Sequence, residues 1–241
     1  MKWSERKSYN EIVTFITVLF DGHWTGVPHT VGVYTAEWVD KLYRGIARNF
    51  NGPFDFVCLT DQHYDFKEEV RSVRFEQSVD QYGWMSMLEQ YRPDICSSKR
   101  MTLGLDTVIT GPLNDICAFD GKIAMCTDPL NPHLECNAIT IVNNGLCYEL
   151  WERWVKHEKE IMHHCKLQFA DGTKIPSEMV ALRSFYKGCP RLDELNPNKI
   201  LSYRVHLLQR PELLKSASII YFHGNIKPHQ LKESWLEEHW V

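Results

Sequence analysis

Hydrophobic positions along the chain fall into two periods. In EIVTFITVLF, residues 11–20, they run almost without a break and are rich in β-branched side chains, which predicts a strand. A polar, aromatic loop, DGHWTGVPHTVGV, follows. From YTAEWVDKLYRGIARNFNGP onward the period changes. Trp38, Val39, Leu42, Tyr43, Ile46 and Phe50 recur on one helical face, Thr35 stands at the cap position, and Asn51-Gly52-Pro53 stops the run. FDFVCLTD, residues 54–61, predicts a second strand that ends in an acid. Strand, helix and strand in that order make a βαβ unit and hence a partly parallel sheet.

The same reading carries down the chain. It predicts a short strand at 70–75, a helix at 84–93 and a strand through SKRMTLGLDTVITGPL, residues 98–113, which runs into Asp106 and turns at Gly111-Pro112. Two more strands are expected at 121–128 and 136–144. A long helix follows at 146–165, with Leu146, Leu150, Trp151, Trp154, Val155, Glu158 and Met162 marking its inner side. Another helix is expected at 176–187, and a late strand in 217–231 breaks into a loop bearing Gly and Pro. The tail LKESWLEEHWV places Leu231, Trp235 and Trp240 on one side. It reads as a docking helix, with membrane-surface or partner binding as the alternative. With no repeat, linker or low-complexity tract, residues 1–241 read as a single α/β domain whose mixed central sheet is flanked by helices.

Composition narrows the function classes. A 44% hydrophobic, 24% charged chain of 241 residues is an ordinary globular protein, long enough for a sizeable core. Its net charge of -4 weighs against a surface that grips nucleic acid. No stretch approaches the roughly 18 apolar residues of a transmembrane helix, and the N-terminus carries no leader pattern, so a soluble cytoplasmic protein is expected. The eight cysteines form no CxxC pair and several lie in apolar runs, which points to reduced thiols. The adjacent histidines of HHC, residues 163–165, face different ways and do not make a metal site.

In open α/β sheets ligands bind beyond the carboxyl ends of the strands, where Asp61, Asp106 and His223 all fall. An Asp106 oxygen and a His223 nitrogen suit a divalent ion of the manganese or magnesium type whose shell diphosphate oxygens complete. Lys227 can neutralise the same diphosphate, and Gly224 lets the backbone approach it. Such a set supports departure of a nucleoside diphosphate from a sugar carbon. The same residues also suit a strand-ending acid and a hydrogen-bonded core histidine.

Four segments resemble nucleotide-sugar-dependent glycosyltransferases of the GT-A fold, in the glycogenin and lipopolysaccharide galactosyltransferase group. They are WVDKLYRGIARNFNGPFDFVCLTD, KRMTLGLDTVITGPLNDI, CNAITIVNNG and LSYRVHL…SIIYFHGNIKPHQL, in the family's order over residues 36–231. The resemblance implies a metal-dependent transfer of a sugar from a UDP-sugar, favoured over a GDP-sugar, to a hydroxyl of a glycan, lipid, protein or small molecule. It puts Gly104-Leu105-Asp106 at the DxD motif, with Asp106 and His223 on the metal and Lys227 with Gly224 on the diphosphate. Asp61 would meet the base, Tyr34 or Trp24 would stack on it, and Lys99 and Arg100 would reach phosphate. Asn137 and Glu178 would contact sugar or acceptor; Glu178 also suits a solvated residue at a helix N-terminus.

Three positions depart from the family pattern. Gly104 replaces an acid, Met87 stands where a lysine is common, and Ser177 stands for an aspartate. Gly104 and Met87 favour an alternative, a degenerate nucleotide-sugar-binding module without turnover. A transferase acting on a modified base in viral DNA is a further alternative, against which the acidic balance weighs. A sugar nucleotidyltransferase would need a Gly-rich basic loop that LFDGHWTGVPH does not provide. A bacterial or viral origin fits the missing membrane anchor.

Overall fold

The structure, a computed structural model, describes residues 11–21 and 33–241; Trp24 lies outside them. Strand β1 (Val13–Leu19) is buried along nearly its whole length, as its unbroken apolar run requires of a central strand. Helix α1 (Ala36–Asn49) buries Trp38, Val39, Leu42 and Ile46, the face expected from the sequence. Thr35 holds the N-cap position, but its hydroxyl makes no capping bond. Strands β2 (Phe54–Thr60) and β3 (Arg71–Arg74) follow, the second exposed as an edge strand.

The expected helix at 84–93 is instead a single turn, α2 (Val79–Tyr82), and a 3-10 helix (Gly83–Tyr91). Gly83, with φ of 54°, separates the two, a conformation in which a Cβ would be strained. The expected strand at 98–113 is also divided. Strand β4 (Lys99–Leu103) ends before Gly104-Leu105-Asp106, and β5 (Thr107–Ile109) belongs to another sheet.

Helix α3 (Asn114–Cys117) leads to strands β6 (Ile123–Thr127) and β7 (Glu135–Val142). Helix α4 (Asn144–His164) is kinked at His157. Leu146, Leu150 and Trp154 are buried, whereas Val155, expected on the inner side, is 56% exposed. A hairpin of β8 (Lys166–Gln168) and β9 (Lys174–Pro176), helices α5 (Glu178–Phe185) and α6 (Leu192–Leu195), and strand β10 (Ile200–Ser202) follow. A π-type turn (Tyr203–Leu207), a 3-10 helix (Pro211–Ser216) and β11 (Ile219–Tyr221) precede the tail helix α7 (Ser234–His239).

Among the described residues the main sheet has the order β3-β2-β1-β4-β7-β6. Strands β3, β2, β1 and β4 are parallel; β7 is antiparallel to both β4 and β6, so β6 runs in the direction of the other four. A smaller sheet, β10-β11-β5, packs beside it. One apolar core joins the two: Phe15, Ile46, Met101 and Ile139 share it with Ile109, Ile200 and Ile219. The tail docks on this body, as expected. Trp235 and Leu236 are buried, and Arg44 and Arg48 hold the carbonyls of Val241 and His239. All eight cysteines are free thiols. No helix among the described residues is long and apolar enough to cross a membrane.

Candidate functional site

The carboxyl ends of β1 and β4 open into a cleft of about 240 Å³. Thr17, Val18 and Phe20 line it from the first strand, and Thr102 through Asp106 from the second. Trp84, Met87 and Gln90 of the 3-10 helix form one wall; Tyr34, Asn137 and Glu178 complete the polar part. Gly104, Leu105, Asp106, Tyr34, Asn137 and Glu178, all named from sequence, are therefore brought together. They arrive from four separate stretches of chain.

Asp106 is the electrostatic centre. The Tyr34 hydroxyl donates to its Oδ2 at 3.1 Å, and Lys227 Nζ forms an ion pair with the same oxygen. Both charged side chains are mostly covered, at 16% and 13% exposure, which strengthens the pair over a surface one. Burial, and then the charge of Asp106, push the Tyr34 phenol far above its ordinary range, so it stays protonated and a donor. The backbone N–H of Phe222 donates to the Asp106 carbonyl at 3.0 Å, which fastens the C-terminal FHGNIKP stretch to the motif. Lys227 is held in turn: its N–H donates to Gln230 Oε1 at 2.9 Å, and Pro228 keeps its backbone extended.

Asn137 and Glu178 form the second polar pair, with Asn137 Nδ2 donating to Glu178 Oε1 at 2.9 Å. Glu178 begins α5 but is 7% exposed, so it is not the solvated residue that a helix N-terminus also allows. Burial raises its carboxyl above the usual glutamate range, against the lowering effect of the Asn137 bond. Such a group can accept from a sugar hydroxyl when ionised and donate when protonated.

Three expected residues do other work. The Arg100 guanidinium is fully buried and donates to the carbonyls of Gln90, Arg92 and Cys96, so it is not brought to the cleft. Lys99 is turned toward the Cys117 carbonyl. Asp61 accepts from the Asp21 N–H and the Tyr64 hydroxyl, both at 3.1 Å, and so pins the exit of β1 to the end of β2.

His223 and Gly224 lie on the loop that carries Lys227. Gly224 has φ of 70°, as a close backbone turn needs. His223 Nε2 is hydrogen-bonded with Ser202 Oγ at 2.8 Å. Burial, then the neighbouring Arg204 charge, lower its pKa, which keeps the ring neutral.

A divalent cation does not fit these side chains. Asp106 offers an oxygen already shared by an ammonium and a phenol, and the His223 nitrogen faces a hydroxyl. Among the described residues no group of three or more His, Cys, Asp or Glu is placed to hold an ion. The expectation that Asp106 and His223 hold manganese or magnesium therefore rests on the sequence resemblance and not on this arrangement of side chains.

Sequence reading passed over Trp84, Phe20 and Arg204. Trp84 opens the stretch expected as a helix at 84–93, and nothing in that pattern marks it for the cleft. Arg204 is an exposed side chain whose Nη1 lies 3.3 Å from where a Cβ on Gly224 would stand.

A mixed sheet with its cleft at β1 and β4, joined to a smaller sheet through Gly104-Leu105-Asp106, is the GT-A fold, and the structural neighbours are glycosyltransferases. One is the glycosyltransferase GlyE of Streptococcus pneumoniae TIGR4, with 15% identity over 95% of this chain and a TM-score of 0.59. Another is the bifunctional glycosyltransferase WbbM, with 13% identity over 91% of this chain and a TM-score of 0.59. The chain spans 59% of the former and 47% of the latter. The galactosyltransferase LgtC, solved with donor and acceptor sugar analogues, matches at 11% identity over 89% of this chain and 88% of its own, with a TM-score of 0.53. Neither a family model nor a curated protein matches the sequence.

Proposed function

We propose that this chain is a glycosyltransferase that takes a nucleoside diphosphate sugar, a UDP-sugar in preference to a GDP-sugar, and passes the sugar to an acceptor hydroxyl. The observation that carries the reading is the Tyr34–Asp106–Lys227 cluster beside a cleft that Asn137 and Glu178 also line. Lys227 meets the diphosphate, and Gly224 lets the loop close on it. Tyr34 and Phe20 flank the base, and Asp61 acts from behind by fixing the chain that leaves β1. Asn137 and Glu178 orient sugar hydroxyls. In the transfer, the acceptor oxygen bonds to the anomeric carbon as the carbon–diphosphate oxygen bond breaks, and the hydroxyl proton passes to the departing diphosphate oxygen. Positive charge near the leaving group then stabilises the developing negative charge.

Gly104 favours a second reading, binding without turnover, because it leaves one carboxylate in the motif. Incubation with a panel of UDP- and GDP-sugars and mixed acceptors, read by release of the nucleoside diphosphate, separates the two. The transferase reading expects UDP release that Asn137→Ala reduces by about tenfold while UDP still binds. Binding of UDP with no release from any sugar would leave only the binding module.

A further inference from the structure

We propose that this chain binds the donor's diphosphate without a divalent cation, the Lys227 ammonium on Asp106 and the Arg204 guanidinium beside Gly224 supplying the positive charge in its place. This rests on the nucleotide-sugar reading of the cleft and adds how that ligand is held.

The argument begins with charge. A divalent ion between two motif acids leaves no net charge from those groups. Here the motif has one acid, because residue 104 is glycine, and two cationic side chains stand on the C-terminal stretch. One carboxylate with a lysine and an arginine leaves one net positive charge, facing a ligand of about two negative charges at neutral pH. The loss of the acid at 104 and the presence of an internal ammonium on Asp106 therefore compensate each other. A second carboxylate at 104 would stand against Asp106: a Cβ there would meet Asp106 Oδ1 at 3.1 Å.

Geometry supports the substitution. Lys227 is placed by the Gln230 side chain and Pro228 as well as by Asp106, so its ammonium is preorganised. His223 is locked in place: its Nε2 bonds Ser202 Oγ, and the same hydroxyl accepts from the Val205 N–H at 3.2 Å. That lock fixes the first turn after β10, and this turn carries Arg204 to the Gly224 backbone. The loop that would have offered an imidazole to an ion thus presents a guanidinium, whose planar fork suits phosphate oxygens.

The test is calorimetric titration of the full chain with UDP, in EDTA and again in manganese chloride. The inference expects UDP affinities in the two conditions to agree within about twofold. Lys227→Gln and Arg204→Gln should each weaken UDP by about tenfold, and UMP by much less, since a charge-assisted contact to the outer phosphate is lost. Thermal unfolding of each variant checks that it folds. The double variant Gly104→Asp with Lys227→Gln supplies two acids and removes the ammonium, and it should gain at least about tenfold in UDP affinity on adding manganese.

UDP binding by the unaltered chain that is at least about tenfold tighter with manganese than with EDTA would overturn the inference and leave the glycosyltransferase reading standing. Wild-type binding indifferent to manganese, with Lys227→Gln and Arg204→Gln also unchanged, would overturn it as well. No binding of UDP, GDP, CDP or dTDP in either condition would remove the nucleotide reading itself, and the inference with it.

Discussion

Glu178 is the residue whose chemistry the fold changes most. Its carboxyl is buried beside Asn137 and holds its proton to higher pH than an unfolded glutamate does. Between the ordinary glutamate range and the raised value, the native state carries a proton that the unfolded chain has released. Stability from this group therefore falls as pH rises through that window and is level above it. Glu178→Gln cannot titrate, so we expect its melting temperature to match the parent at pH 4 and exceed it at pH 8. The gain accrues at no more than about 1.4 kcal/mol per pH unit across the window. Parallel melting curves for the two proteins at both pH values would show that the carboxyl is not desolvated. Asp106 was legible in the sequence because a lone acid in an apolar run needs a reason. The burial of Glu178 was not, since an acid in a helix's first turn is equally at home in water. Nor was the fate of Arg100, whose partners are carbonyls of residues 90, 92 and 96 assembled only once that segment folds.

At the scale of elements, the strands beside the cleft were readable because burial forces long apolar runs, as β1 and β2 show. The division of 98–113 between two sheets was hidden, because both halves are apolar and only Gly104-Leu105-Asp106 separates them. The short pieces β8, β9, α6 and β10 have three or four residues each, too few to carry a period. The tail was read as docking, and its contacts reach the site. The Trp240 ring lies 4.9 Å from that of Trp38, which is 4.9 Å from Tyr34 and 5.3 Å from His229, two residues past Lys227. Lys41 caps Trp240 at 4.0 Å. Trp240→Ala should therefore cost about 2 kcal/mol through lost ring and cation contacts. We expect a melting temperature lower by about 5 °C, together with weaker UDP binding because Tyr34 and the Lys227 loop lose their backing. A lower melting temperature with unchanged UDP affinity would restrict the tail to stability.

For the whole molecule, the decisive feature is that the two sheets share one core. Phe15 and Met101 of the large sheet, Ile109 and Ile219 of the small one, and Leu42 of α1 belong to a single buried cluster. The cleft repeats this union at its mouth, where Asp106 from the β4–β5 junction meets Lys227 and Phe222 from the C-terminal stretch. Neither sheet can open without exposing the other, so we propose a single cooperative domain. Scanning calorimetry should show one transition whose calorimetric and van't Hoff enthalpies agree, near 170 kcal/mol at about 60 °C for a chain of this length. Because β1, β4, β7, α5 and the Lys227 loop all face the cleft, a bound nucleotide must stabilise the whole and not one layer. UDP at about a hundred times its dissociation constant adds about 2.7 kcal/mol, which should move the entire peak upward by about 5–10 °C without broadening it. A low-temperature shoulder that ignores UDP would mark a unit that unfolds alone, and the shared core would then be two cores in contact.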